Sequence, residues 1–274
     1  MTRRIIALRC DVGHMLTTRN ILYVFLTTML YVTLQPYVHA QGMYVEHVYL
    51  GLAGGFGFEE IIALRLDDVF IWSLLMLSYL LCVSGSMQME YGGRSKDTLY
   101  RFSSYRSWYA SKALAAVICC IAVSFIILIS VICTSFLLGN TRFGAAVSTT
   151  YSVFDPAWPY CLLAFAFLTM SAVMLTQWQM TIHLISGNIV LTTAAYLTPV
   201  VLSLYGASNT YISSAPLYNP INWGMLMRTT LFSQPGTPPL AAMLGQAGIA
   251  CVCFIIGYVA APKVNLGSRS RQEG

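Results

Sequence analysis

Six runs of apolar residues, each close to helical spanning length, dominate the sequence: about 21–38, 70–88, 113–138, 160–178, 182–205 and 240–261. An α-helix rises about 1.5 Å per residue, so about 20 residues cross a hydrocarbon core of about 30 Å. Inside lipid no water is at hand for the backbone, and each N–H and C=O must be satisfied within the segment or by a neighbouring strand. Runs of this length satisfy them as helices. The pattern predicts an all-α integral membrane protein with six transmembrane helices in one membrane domain over 1–274, five and seven spans being the competing counts. Only the polar stretch 177–181 separates the fourth run from the fifth, which predicts a tight helical hairpin hinged there.

Charge agrees with this solvent. Only 9% of the 274 residues are charged and mean hydropathy is +0.67, whereas a soluble domain carries about 25% charged residues to dress its surface. The polar stretches are too short for a nucleotide-binding or catalytic domain, so an energy source would have to come from a partner. The net charge of +5 sits in short basic blocks beside the apolar runs, which is how membrane chains set their orientation; no nucleic-acid partner is expected. The amino-terminal region is polar as far as Asn20 and lacks a small-x-small site after Val38, so it is not read as a cleavable signal.

Lys and Arg fall asymmetrically. Arg3, Arg4, Arg9 and Arg19 precede the first run, Arg94, Lys96, Arg101, Arg106 and Lys112 lie between the second and third, and Lys263, Arg269 and Arg271 follow the sixth, twelve of fifteen in all. Arg65, Arg142 and Arg228 share the other side with six of the ten acids. The asymmetry predicts a multi-pass protein of the cell membrane with both termini cytoplasmic and an even number of spans.

Three connecting segments carry more than a tether needs. Residues 2–20 place Ile5, Ile6, Leu8 and Val12 among basic residues, the pattern of a helix lying in the inner interface beside lipid headgroups. Residues 90–112 interleave Leu99, Tyr100, Phe102, Tyr105, Trp108 and Tyr109 with five basic residues, which predicts a second amphipathic helix. Its acids Glu90 and Asp97 suit a protein groove better than anionic headgroups. The outer segment 206–239 holds five prolines yet stays apolar, which predicts short re-entrant helices turning about Asn219, Pro220 and Asn222. A further short helix is expected at 58–66 in the first outer loop.

The chemistry expected of an enzyme is missing from the sequence. No G-x-x-x-x-G-K-[ST] or G-x-G-x-x-G run is present, so no phosphate-cradling glycine loop is expected in this chain. His14, His39, His47 and His183 stand apart from one another, and the eight cysteines form no C-x-x-C; no metal is expected. The cysteines read as free thiols, with Cys133 and Cys161 the pair able to meet at the outer face. His183 and Ser186 share a helix face, but a same-helix pair with no orienting third group does not make a nucleophile, and no catalytic residue is expected. No charge lies in the middle of any run, which weighs against an ion-driven transporter. What remains is neutral polarity. Asn188, Thr192 and Tyr196 recur at i, i+4 and i+8, and Thr27, Thr28 and Tyr31 in the first run are able to face the same way. Two readings stand for this stripe: hydrogen bonding between helices, or a translocation surface formed with a partner.

The run Glu90-Tyr91-Gly92-Gly93-Arg94-Ser95-Lys96-Asp97-Thr98-Leu99, followed by Tyr105-Arg106 and Lys112, resembles the segment that opens the coupling region in permease subunits of ABC transporters of the ABC-2 (type V exporter) class. Pro216-Leu217-Tyr218-Asn219-Pro220-Ile221-Asn222-Trp223 with Arg228 resembles the Asn-Pro turn before that family's last span. The resemblance is architectural over nearly the whole chain. It implies six spans with an N-terminal interfacial helix, a cytoplasmic coupling helix and outer re-entrant helices. It further implies an exporter in which two permeases, identical or different, work with separate cytoplasmic ABC ATPase subunits that bind ATP and Mg, this chain binding no cofactor itself. Under it, Glu90, Arg94, Asp97, Arg101 and Arg106 contact the ATPase, and Thr27, Tyr31, Asn188, Thr192 and Tyr196 face the translocation path. The contrasting expectation is a non-transport membrane enzyme, an accessory subunit or an ion-driven transporter.

Overall fold

A computed structural model describes residues 2–38, 45–55, 66–89, 102, 104–138, 158–198, 218–232 and 236–263. Among these residues the fold is all-helical, with eight α-helices and no strand: α1 Thr2–Met15, α2 Thr18–Val38, α3 Val45–Ala53, α4 Leu66–Met89, α5 Tyr105–Leu137, α6 Trp158–Ser186, α7 Ile189–Thr198 and α8 Pro239–Ala260. Among the described residues three helical stretches are long and apolar enough to cross a membrane: Tyr105–Leu137, Trp158–Ser186 and Pro239–Lys263. At 33 residues, α5 is about 50 Å long and outreaches a hydrocarbon core by about 20 Å.

In these helices the choice of buried face cannot follow hydrophobicity, because all faces are apolar. It follows size and hydrogen-bonding capacity instead. The buried side of α5 collects Ala115, Ala116, Cys119, Ser124 and Ser130 beside the larger Trp108, Tyr109, Val123, Ile127 and Val131, while Leu114, Ile121, Phe125, Ile129 and Phe136 point outward. In α8 the buried side is Ala242, Gln246, Ala250, Cys253 and Gly257, against exposed Leu244, Val252, Ile255, Ile256 and Val259. Small residues let helix backbones approach in a solvent that offers no hydrophobic drive between helices, and bulky ones are left to face hydrocarbon.

The core is built on α5 and α6. α6 packs along α8 and α5; α2 and α4 pack on α5; α1 lies against α5 and α4; and α3 is wedged among α6, α5 and α4. On α3, Val45, Val48, Tyr49, Leu50, Leu52 and Ala53 are buried.

Two sequence expectations shift. The hinge between the fourth and fifth runs is not at 177–181, where α6 continues unbroken; the helix ends at Ser186 and restarts at Ile189. Gly187 sits between them at φ 64°, a left-handed conformation that suits glycine, with its N–H donated to His183 O at 2.8 Å. The Asn188 side chain then caps α7, its Oδ1 accepting from Val190 N at 2.8 Å and Leu191 N at 3.2 Å. Residues 105–112 are not a separate amphipathic helix but the first two turns of α5, capped by Ser104, whose hydroxyl accepts from Ser107 N at 3.1 Å. The connection between α2 and α4 carries α3; of the helix expected at 58–66, residues 58–65 lie outside the described residues and Leu66 begins α4.

The described part of the segment expected to be re-entrant, 218–232, is largely buried. It forms two 3-10 turns, Asn222–Gly224 and Leu226–Arg228, with Ile221, Asn222, Met225, Leu226, Met227 and Arg228 buried. Met227 N donates to Gly54 O at 3.1 Å, tying the segment to the end of α3.

Candidate functional site

Hydroxyl and amide side chains run along α6 and link it to its neighbours. Midway along α6, Gln246 Nε2 of α8 donates to Ser171 Oγ at 2.8 Å. Half a turn away, Thr169 Oγ1 donates to Ser124 Oγ at 2.9 Å, and Ser124 Oγ shares a 2.8 Å hydrogen bond with the Tyr79 hydroxyl, so α6, α5 and α4 meet in one hydroxyl cluster. Gln177 Nε2 donates to Ala113 O at 3.2 Å. Thr181 Oγ1 donates to Cys253 O at 2.8 Å and contacts the Tyr109 hydroxyl at 3.1 Å, joining α6, α8 and α5. Each of these groups is buried or half-buried, so each bond replaces a costly unsatisfied polar atom in a medium without water.

The stripe of the fifth run divides. Thr192 is fully buried; its hydroxyl donates to Asn188 O at 2.7 Å and lies 3.2 Å from His183 Nδ1 across the hairpin. Tyr196 is fully buried, its hydroxyl donating to Met76 O of α4 at 2.7 Å. Asn188 is exposed and acts as the cap of α7. In α2 the Thr27 hydroxyl is half-buried and bonds its own helix, at Tyr23 O (2.9 Å) and Val24 O (3.0 Å). Tyr31 is buried, with its hydroxyl 2.9 Å from where a Cβ on Gly51 would stand, so it packs on α3. The structure therefore does not bring the five residues to one surface; Thr192 and Tyr196 work inside the chain's own bundle.

Of the expected coupling residues, Glu90, Arg94, Asp97 and Arg101 lie outside the described residues. Arg106 is exposed on the first turn of α5, its guanidinium 5.7 Å from the Tyr258 ring centre of α8. Trp108, Tyr109 and Lys112 on the following turns are buried in the bundle.

Three charged side chains, Asp11, Lys112 and Arg228, are buried, which the sequence pattern does not indicate. Lys112 Nζ pairs with Asp11 Oδ1 at 2.5 Å, both side chains nearly inaccessible. Asp11 gives no local signal of this, since its partner is far along the chain. Arg228 is 1% exposed and donates from Nη1 to Asn222 Oδ1. Burial disfavours its charged form and draws its pKa down to about 9, which leaves it protonated at neutral pH. Gly224 beside it touches Ser171 and Gln246, so the outer segment is keyed into the α6–α8 seam.

Reactive chemistry is sparse. Among the described residues no group of three His, Cys, Asp or Glu side chains is placed to hold a metal ion. His183 is turned toward Thr192, and Ser186 Oγ accepts from Asn188 N at 3.2 Å. All eight cysteines are reduced thiols, Cys133 exposed and Cys161 buried. The seam is thus an arrangement of neutral hydrogen bonds that holds helices in register. No family model matches the sequence, and no curated protein or solved structure is significantly similar to it.

Proposed function

We propose that this chain is the membrane-spanning permease subunit of an ATP-driven exporter of the ABC-2 class, working as a dimer of permeases with two separate ATPase subunits. In this reading all six apolar runs cross the bilayer, both termini face the cytoplasm, α1 lies in the inner interface and 218–232 is re-entrant at the outer leaflet. ATP-driven closure of the ATPase pair pushes on the segment 90–106, and the α5 helix that continues from it tilts the bundle.

The observation that carries the reading is the paired occurrence of two unusual devices in one small helical chain. One is the docking of an amphipathic N-terminal helix on the base of α5, directly after a block of mixed charge. The other is a buried, proline-flanked outer segment seated on α6 and α8 before the last helix. A chain with neither a phosphate loop in its sequence nor a metal cluster among its described residues has little use for such a transmission end unless a partner supplies the energy.

Charge reversal tests it. Arg101→Glu with Arg106→Glu, expressed in the native membrane, is expected to lose the ATPase polypeptide on purification or to uncouple hydrolysis from transport while the chain still inserts. Normal assembly and transport by the double variant would overturn the coupling role.

A further inference from the structure

The buried face of α1 is Ala7, Asp11 and Met15. Two of these are ordinary packing residues. The third is a carboxylate 5% exposed, and it meets the ammonium of Lys112, which is 1% exposed on the third turn of α5. Arg9, His14 and Arg19, the other charged or titratable groups on α1 and at the start of α2 whose side chains are described, all point to the outside. Asp11 Oδ2 is buried and makes no hydrogen bond among the described residues.

Such a pair is a poor choice if adhesion were its whole purpose. Desolvating two ions costs about as much as their attraction returns, and apolar residues of the same volume would hold α1 at least as well. What the charges add is discreteness. Seated, the contact is strong and directional; parted, each ion is drawn to water or headgroups, so intermediate separations are unfavourable. A contact of this kind has two states rather than a continuum.

The other end of α1 is braced. Asn20 Nδ2 donates to Met15 O at 2.9 Å and Asn20 N to Thr17 Oγ1 at 3.3 Å, across the bend between α1 and α2. Motion of α1 is therefore passed to α2 through a fixed elbow.

We propose that the Asp11–Lys112 pair is a two-state latch that fastens α1 to the base of α5, so that displacement of the foot of α5 either carries α1 and α2 with it or releases α1 as a unit. The latch is a property of the bundle and does not depend on the transport reading.

Ala7, buried on the docked face, provides the reporter position. The full chain with Ala7→Cys and Cys10→Ser is placed in lipid nanodiscs and exposed to a membrane-impermeant maleimide, and the rate of modification at position 7 is followed by peptide mass spectrometry. The latch predicts slow modification in this background and a rise of about tenfold or more on adding Lys112→Met or Asp11→Asn, because each breaks the buried Asp11–Lys112 pair. The exchanged pair Asp11→Lys with Lys112→Asp returns the rate toward its starting value. Rates within about twofold of the background for both single variants would overturn the latch, since packing alone would then hold α1. If the single variants do not yield a monodisperse protein, the exchanged pair decides: a folded, slowly modified chain supports the latch, and its failure overturns it.

Discussion

Gly224→Ala is the sharpest test of how the outer segment is seated. A Cβ at this position would overlap Ser171 Oγ and stand 2.8 Å from Gln246 Nε2. Ordinary contact begins near 3.4 Å, so the 3-10 turn must lift or Ser171 must leave its rotamer. Either movement also disturbs the 2.8 Å Gln246–Ser171 bond. Overpacking of a well-filled site costs about 1–3 kcal/mol, and a strained or lost buried hydrogen bond adds about 1 kcal/mol. A total of about 3 kcal/mol corresponds to a fall in Tm of roughly 6–12 °C for a chain of this size. The assay is thermal unfolding of the purified chain in lipid nanodiscs. Ser171→Ala added to Gly224→Ala removes the overlapping oxygen but keeps Ser171 Cβ, which stands 2.8 Å from the new methyl, and is expected to recover part of the loss, a coupling that distant sites do not show. A Tm unchanged by Gly224→Ala, or identical in the presence and absence of Ser171→Ala, would refute the keyed contact between the outer segment and α6.

The remaining predictions concern the hairpin and the topology. Tyr196→Phe removes one buried hydrogen bond, to Met76 O, and is expected to lower stability by about 1 kcal/mol with transport retained; a large change in transport at unchanged Tm would instead place Tyr196 on the translocation path. Asn188→Leu deletes the α7 cap and is expected to cost about 1 kcal/mol, read as faster hydrogen exchange at Val190 and Leu191 and not elsewhere. Single cysteines at 104 and 270, introduced in a background of blocked native thiols, are expected to be labelled from one and the same side; labelling from opposite sides would end the six-span arrangement.

Much of the helical layout is legible in the sequence because spanning length is a strong signal. The expected bounds of the first, third and sixth runs lie within α2, α5 and α8 to within a residue or so, apart from the extra turns at the foot of α5. The hinge is misplaced by the sequence pattern for an instructive reason. Gln177, Gln179 and Thr181 look like a break in an apolar run, yet in a helical bundle polar side chains serve as bonds between helices, and Gln177 and Thr181 reach α5 and α8. The true break carries its own local signature, the glycine of Gly187 followed by the asparagine cap of Asn188. α3 is also within reach of sequence reasoning, since Val45, Val48, Tyr49 and Leu52 follow the i, i+3, i+4, i+7 spacing of a buried helical face. Lys112 reads as a topological charge, and nothing near it in the chain points to Asp11; a contact made by tertiary folding alone leaves no trace in local pattern. Thr192 and Tyr196 do share a helix face as their spacing implies. Which neighbour that face meets depends on how α4 and α6 pack against it.

The central claim, that this chain is one part of an ATP-driven assembly, is tested most directly by the mass of the intact complex. The tagged chain, extracted from its native membrane in mild detergent and measured by native mass spectrometry, is predicted to carry two permease chains and two ATPase polypeptides, with ATP hydrolysis that depends on both. A chain of 30.2 kDa recovered alone or as a simple oligomer, with no ATP-hydrolysing partner under conditions that preserve membrane complexes, would contradict it.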